Sequence, residues 1–203
     1  TRYLIDISSF AGQSVRFAFH IKDNEDGYYH AGGWYVDSLQ IVQGDVPSWS
    51  HEGFESGYGG WYADRGVWNT GTVSGAPEGT HSAGTVVGAG YPRYADSRLI
   101  SPSTLLPASP PDGKLWFSFF HWFNFYGGDS AWVELSTNGG AWQPIGQPFV
   151  IYSATWTRYL IDISSFAGQS VRFAFHIQDN EDGYYHAGGW YVDSLEIILG
   201  DLG

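Results

Sequence analysis

The sequence predicts an all-β protein, an antiparallel jelly-roll β-sandwich, and three features carry that prediction. Apolar residues alternate with Arg, Ala and His along Val15-Arg16-Phe17-Ala18-Phe19-His20-Ile21, a period of two rather than 3.6. The 28 glycines and 9 prolines break the chain at short intervals, and no helical period outlasts a turn. Lys114 to Phe125 is apolar on both faces, as suits a central strand buried on both sides.

In chain order, Tyr3–Ile7, Val15–Ile21 and Trp34–Ile41 read as three strands. Residues 46–53 form a short linker stiffened by Pro47 and the apolar Trp49. Phe54-Glu55-Ser56-Gly57 opens a full domain, and a section rich in Gly, Trp and Tyr follows, with the irregular spacing of loops around short strands. Asp96–Ile100 is a strand that Pro102 ends. The proline-rich Leu105–Asp112 is a surface connection. Ala131–Ser136 and Trp142–Ile145 flank Asn138-Gly139, a strong hairpin signal. About eight to ten such strands indicate a sandwich of the jelly-roll kind.

The last strands repeat the first. Residues 1–45 and 157–201 are identical except at Lys22/Gln178, Gln40/Glu196, Val42/Ile198 and Gln43/Leu199, so 41 of 45 positions agree. The offset of 156 residues matches one independent domain rather than a solenoid unit. It is long for an immunoglobulin-like sandwich, and the Cys-Trp-Cys spacing of that fold is missing. The expected organisation is therefore one complete repeat, 54–201, preceded by the closing strands of a neighbouring copy, 1–45. Three strands alone bury too little to offset chain entropy. Residues 1–45 are thus expected to pair with a preceding repeat or another chain, by strand exchange between copies of the protein.

Composition narrows function. The net charge of −12 opposes binding to nucleic acid or anionic membrane, and suits solubility or hard divalent cations. Cysteine is absent, which removes disulfides and thiolate metal sites. No run of about 18 apolar residues exists, so no membrane insertion is expected.

Simple alternation places Asp193 on the face of Tyr191, Leu195 and Ile197, with Ser194 and Glu196 opposite. A carboxylate turned toward a core needs compensation, from a cation or from an arginine such as Arg98 or Arg158. Asp37 is its counterpart in the first copy. Asp179-Asn180-Glu181-Asp182-Gly183 is either a polar turn or, through Asp179, Glu181 and Asp182, a wrap for a hard cation. The histidines show no zinc-ligand spacing, and no residue set stands out as catalytic. Trp61, Tyr62, Tyr184 and Tyr185 fall in expected loops, where aromatic rings either stack on sugars or cap the core.

Phe54-Glu55-Ser56-Gly57, His81-Ser82-Ala83-Gly84, Asp96-Ser97-Arg98-Leu99-Ile100-Ser101-Pro102, Gly128-Asp129, Phe166-Ala167-Gly168-Gln169 and Trp190-Tyr191-Val192-Asp193 stand in that order. In this ordered set the chain resembles the MAM-like jelly-roll modules. These include choice-of-anchor and cleaved-adhesin domains and the C-terminal module of immune-inhibitor-A-type metallopeptidases. The resemblance covers residues 54–198, with 1–42 as a partial copy. It implies a secreted or cell-surface sandwich stabilised by Ca²⁺ and used for adhesion or carbohydrate binding. It also implies an ion between first and last strands, held by Asp193 and Glu55 with Asp96 or Asp129 as a third carboxylate. The peptidases' His-Glu-x-x-His motif is absent, so no catalysis is expected.

Two functions follow as expectations. One is an extracellular tandem-repeat stalk or filament subunit, non-catalytic and joined to copies of itself. The other is a carbohydrate-binding module of a larger secreted enzyme or adhesin, with glycans as partners.

Overall fold

The structure, a computed structural model, describes residues 7, 10, 13–20, 51–108, 110, 113–180 and 187–200. The chain divides into two units, Arg2–Gln43 and, for the rest, Gly44–Gly203.

The larger unit is an antiparallel sandwich of twelve strands among the described residues: β1 (His51–Glu52), β2 (Tyr62–Ala63), β3 (Trp68–Thr72), β4 (His81–Thr85), β5 (Asp96–Ile100), β6 (Thr104–Leu105), β7 (Leu115–Asn124), β8 (Ser130–Thr137), β9 (Trp142–Val150), β10 (Thr157–Asp162), β11 (Ser170–Gln178) and β12 (Gly189–Leu199). One sheet runs β10-β7-β12-β4-β3, with β1 also on β12. The other runs β2-β5-β11-β8-β9, with β6 also on β11. The jelly-roll sandwich expected from the alternation is what forms. β1 lies inside the stretch read as a linker.

Alternation assigns the faces. Val171, Phe173, Phe175 and Ile177 of β11 point inward, as do Leu115, Phe117, Phe119 and His121 of β7. The two sets meet in the core, where Phe117 stacks on Phe173 with centroids 4.1 Å apart and Phe119 meets Phe175 edge-on at 5.0 Å. The hairpin signal also holds: Asn138 and Gly139 both take positive φ (51° and 74°) between β8 and β9.

β7 departs from expectation in an instructive way. Its inner face is buried from Leu115 to His121, but Trp116, Phe120 and Trp122 on the outer face are only half-buried. The strand is apolar on both sides without being packed on both sides.

β12 holds a second departure. Trp190 and Val192 belong to the core, and so do Leu195 and Ile197, although the two pairs differ in parity. A bulge between Asp193 and Glu196, with Ser194 at φ 48°, inserts one residue and resets the phase. Beside it β12 changes neighbours, pairing β4 through Tyr191 and Val192 and β1 through Leu195 and Glu196. Asp193 sits at that break.

In the smaller unit, Phe10 donates its amide to Ile7 and Gln13 to Phe10, at 2.9 and 3.0 Å. The same turn forms in the second copy, where Phe166 bonds to Ile163 and Gln169 to Phe166. Of the strand expected at Val15–Ile21, residues 15–20 form none and Ile21 lies outside the described residues; Phe17 is 58% exposed.

Candidate functional site

The outer face of the β10-β7-β12-β4-β3 sheet carries a cleft of about 670 Å³. Trp122 of β7 and Tyr191 of β12 are register partners and form its floor, with ring centroids 5.6 Å apart. Trp156, just before β10, stands at one side; Thr72, Val73 and Val87 stand at the other. No charged side chain lines it.

Glycines make this floor possible. A Cβ on Gly84 would come within 2.7 Å of the Tyr191 ring, and one on Gly188 within 2.9 Å of Trp122. Tyr191 therefore lies flat over β4, and its hydroxyl accepts the Gly88 amide at 3.4 Å. The result is a mostly apolar surface, its two rings tilted by 58° to each other, with Thr72, Ser74 and Thr155 also among its lining residues. Such a surface, apolar with few polar groups, is the usual form of a small-ligand site.

The aromatic residues expected to contact sugars are elsewhere. Trp61 is buried, edge-on to Phe54 and stacked on Phe175, and shows no face to a ligand. Tyr62 is exposed but belongs to the opposite sheet, within 3.4 Å of the Arg172 guanidinium. Tyr184 and Tyr185 lie outside the described residues. Trp122, Trp156 and Tyr191 escaped attention because the sequence shows aromatics without showing which strand face is open.

A second constellation gathers around the bulge of β12. Asp193 is fully buried, and its carboxylate accepts the Glu78 amide at 3.1 Å and the Ser194 amide at 2.7 Å. Glu55 lies in the loop after β1, not in a strand. One of its oxygens accepts the amides of Thr80 (3.0 Å) and His81 (2.6 Å). The turn at 78–81 is thus tied down by two carboxylates through backbone N–H groups. The compensation is neither of the arginines considered from sequence: Arg98 pairs with Glu134 and Asp64, and Arg158 with Glu196.

Burial pushes the Asp193 carboxyl up to about 6, and the nearby Glu78 and Glu55 add to the rise against the pull of the two amides. Glu52, whose oxygen accepts the Phe54 amide, is also raised, again chiefly by burial. Glu55 is lowered, first by the His81 amide.

These are hard oxygen donors of the type calcium takes. Yet among the described residues no three His, Asp or Glu side chains converge as metal ligands do. Asp96 and Asp129 do not join Glu55 and Asp193. Asp96 is paired with Arg65 and with His176 Nε2 (2.7 Å) on the other sheet. Asp129 is buried, taking the Tyr91 hydroxyl and the Asn180 amide. Of the acidic turn, Asp179 accepts the Tyr94 amide at 2.9 Å, so its start is a structural lock. Asp37, Glu181 and Asp182 lie outside the described residues.

The outer face of the second sheet holds a buried polar network. Glu134 accepts Arg98 Nε at 2.6 Å and Trp132 Nε1 at 3.0 Å, and His176 Nδ1 lies 3.3 Å away. Burial alone would raise Glu134, but these donors outweigh it and hold the carboxyl at about 2. Both ring nitrogens of His176 face carboxylates, which fits a structural role. His121 is enclosed by aromatic rings, and burial lowers it to about 4.

No protein-family profile matches the chain. Bacillopeptidase F of Bacillus subtilis (strain 168) is 28% identical over 98% of the chain, which spans 14% of that protein's length. Among solved structures, the xylanase 10B CBM22-1–GH10 modules of Clostridium thermocellum, complexed with xylohexaose, match 78% of this chain. The match covers 29% of theirs, with a TM-score of 0.52 at 12% identity. The K1 cleaved adhesin domain of Lys-gingipain from Porphyromonas gingivalis W83 covers 73% of this chain and 96% of its own. Its TM-score is 0.48 at 20% identity. At these identities the likeness is one of fold. Among the described residues no helix is long and apolar enough to cross a membrane.

Proposed function

We propose that the sandwich is a non-catalytic carbohydrate-binding module acting outside the cell, with a glycan lying across the cleft on the outer face of its first sheet. The observation that carries this is the cleft itself: Trp122 and Tyr191 as a floor of two rings tilted by 58° to each other, Trp156 beside them, and no charge among its lining residues. Aromatic faces stack on the apolar faces of sugar rings while hydroxyls at the margin bond to sugar hydroxyls. An uncharged lining in a protein of charge −12 favours neutral over acidic polysaccharides. Of the two functions expected from sequence, the binding module is thus better supported than the tandem-repeat stalk. Carbohydrate-binding modules and adhesin domains sharing the fold, as parts of larger proteins, agree with it.

The test is calorimetric titration with neutral xylo- and gluco-oligosaccharides. Trp122→Ala should weaken binding at least about tenfold, the loss of one stacked ring. Tyr62→Ala, on the other sheet, should leave it unchanged. Equal binding by parent and Trp122→Ala would contradict the assignment, and so would a preference for polyuronates.

Calcium remains a separate part of the proposal. Asp193 and Glu55 would each offer oxygens to the ion, which would supply positive charge beside the Asp193 carboxylate that burial disfavours as an anion; no third carboxylate joins them among the described residues, so backbone oxygens and water would complete its shell. Supporting it are the donor chemistry and the raised Asp193; the amide bonds these carboxylates already make stand against it. Calcium should raise the melting midpoint of the parent protein and not that of Asp193→Asn. An equal midpoint in calcium and in EGTA removes the ion.

A further inference from the structure

We propose that Asn69 is a positioning residue of the cleft: it clamps the turn 86–89, against strain at Val86, so that Val87 stands ready as a wall for the ligand. This role rests on the glycan reading of the cleft given above. Asn69 belongs to the floor by register. Trp122 pairs with Tyr191, Tyr191 with Gly84 and Gly84 with Asn69, so the four form one row across β7, β12, β4 and β3. Directly opposite residues share a face of the sheet, which puts Asn69 on the cleft side at the end of that row. From there its carboxamide oxygen accepts the Val87 amide at 2.7 Å.

Four backbone amides fix the turn. Val86 donates to the Val67 carbonyl at 3.2 Å, Val87 to Asn69, Gly88 to the Tyr191 hydroxyl at 3.4 Å and Ala89 to the Val86 carbonyl at 3.0 Å. Gly88, with φ 85°, supplies the positive φ at the third residue of the turn. With its amides so engaged, the turn meets a ligand through the Val87 side chain. That side chain lies over two glycines: a Cβ on Gly71 or on Gly84 would come within 3.2 Å of a Val87 methyl. Val86 has φ 62°, a left-handed conformation that β-branched residues rarely adopt. Such strain persists where the surroundings over-determine it, and it clusters at ligand clamps. Here the amide bonds over-determine it, and the wall they fix, Val87 to Ala89, lines the cleft. A ligand that meets an ordered wall binds without the entropy cost of ordering it.

Calorimetric titration with xylohexaose and cellohexaose, beside amide exchange of the free protein, tests the clamp. Asn69→Ala should weaken binding about three- to tenfold, the effect of one group left to be ordered on binding. It should also speed exchange at the Val87 amide. Asn69→Asp keeps the acceptor oxygen and should rescue both. Val86→Gly relieves the strain and frees the turn, so it should weaken binding by a similar factor without lowering the melting midpoint. If Asn69→Ala binds like the parent while Trp122→Ala does not, the clamp is overturned and the glycan site stands. If the parent binds neither sugar, the glycan site falls and this role with it. Equal Val87 exchange in parent and Asn69→Ala overturns the clamp whatever the ligand. So does a failed rescue by Asn69→Asp or a lower midpoint in Val86→Gly.

Discussion

Two stretches of one sequence meet different fates in this molecule. Ile7 to Gln13 and Ile163 to Gln169 form the same turn, with the same two backbone bonds. A few residues further on, Ser14–His20 forms no strand and Ser170–His176 is the middle of a sheet. The turn is made by bonds three residues apart, so sequence identity is enough. The strand is made by partners far along the chain, such as Leu135 for Phe173 (173 − 135 = 38 residues away) and Leu99 for Phe175 (175 − 99 = 76), and sequence identity does not supply them. β-propensity is a fitness for a half-buried surface, and β5 and β8 supply that surface to β11.

The largest expected contrast is at the paired phenylalanines. Phe173→Asp places a carboxylate in a closed aromatic core and should cost at least about 4 kcal/mol, enough to unfold a marginal domain. Phe17→Asp should leave the melting midpoint within about 1 °C. Thermal melts of the two variants decide it, and comparable losses would show that the first copy is also packed.

A smaller contrast concerns the outward face. Glu134→Gln breaks the buried pairing with Arg98 and the approach of His176, and should cost about 2–3 kcal/mol. His176→Ala should cost about 1–2 kcal/mol and His20→Ala nothing measurable. Because Glu134 is held at about 2 in the folded protein, its contribution is present above its unfolded value and is lost as pH falls through about 2. Denaturant midpoints of Glu134→Gln and the parent should therefore converge in strong acid.

The finest test asks what the bulge does to Asp193. Its folded pKa of about 6 is raised, so its contribution to stability is full below the unfolded value of about 4 and is lost as pH rises through 6. His121 works the other way: lowered to about 4 by burial, it contributes fully above about 6.5, and that is lost as pH falls. Between pH 5 and 6.5 the two oppose each other. The parent midpoint should be nearly level there, whereas Asp193→Asn should lose stability on acidification. Parallel profiles would mean that Asp193 is not buried as an acid.

These contrasts also explain what was legible in the sequence. The strand alternation of β11, the Asn138-Gly139 hairpin and the sandwich class depend on local pattern and were readable. Asp193 was rightly suspected of burial, but simple alternation gave the wrong reason. It shares the parity of Tyr191, while Leu195 follows a bulge that only positive φ at Ser194 reveals. Trp61 looked like a loop aromatic and is core, because Phe54 and Phe175 close over it. The cleft was unreadable for a related reason. Trp122 and Trp156 become one surface through strand order, and Tyr191 lies flat only because Gly84 leaves room. The doubly apolar Lys114–Phe125 was the available hint, since its outer aromatics face an open cleft rather than a second layer.

Backbone-amide hydrogen exchange, resolved by NMR, tests the central claim most directly, since it reads Phe17 and Phe173 in the same sample. If partners rather than sequence make the strand, Phe173 and Phe175 should be protected close to the limit of global unfolding. Phe17 and Phe19 should exchange within about an order of magnitude of an unstructured chain. Matching protection in the two copies would contradict the account.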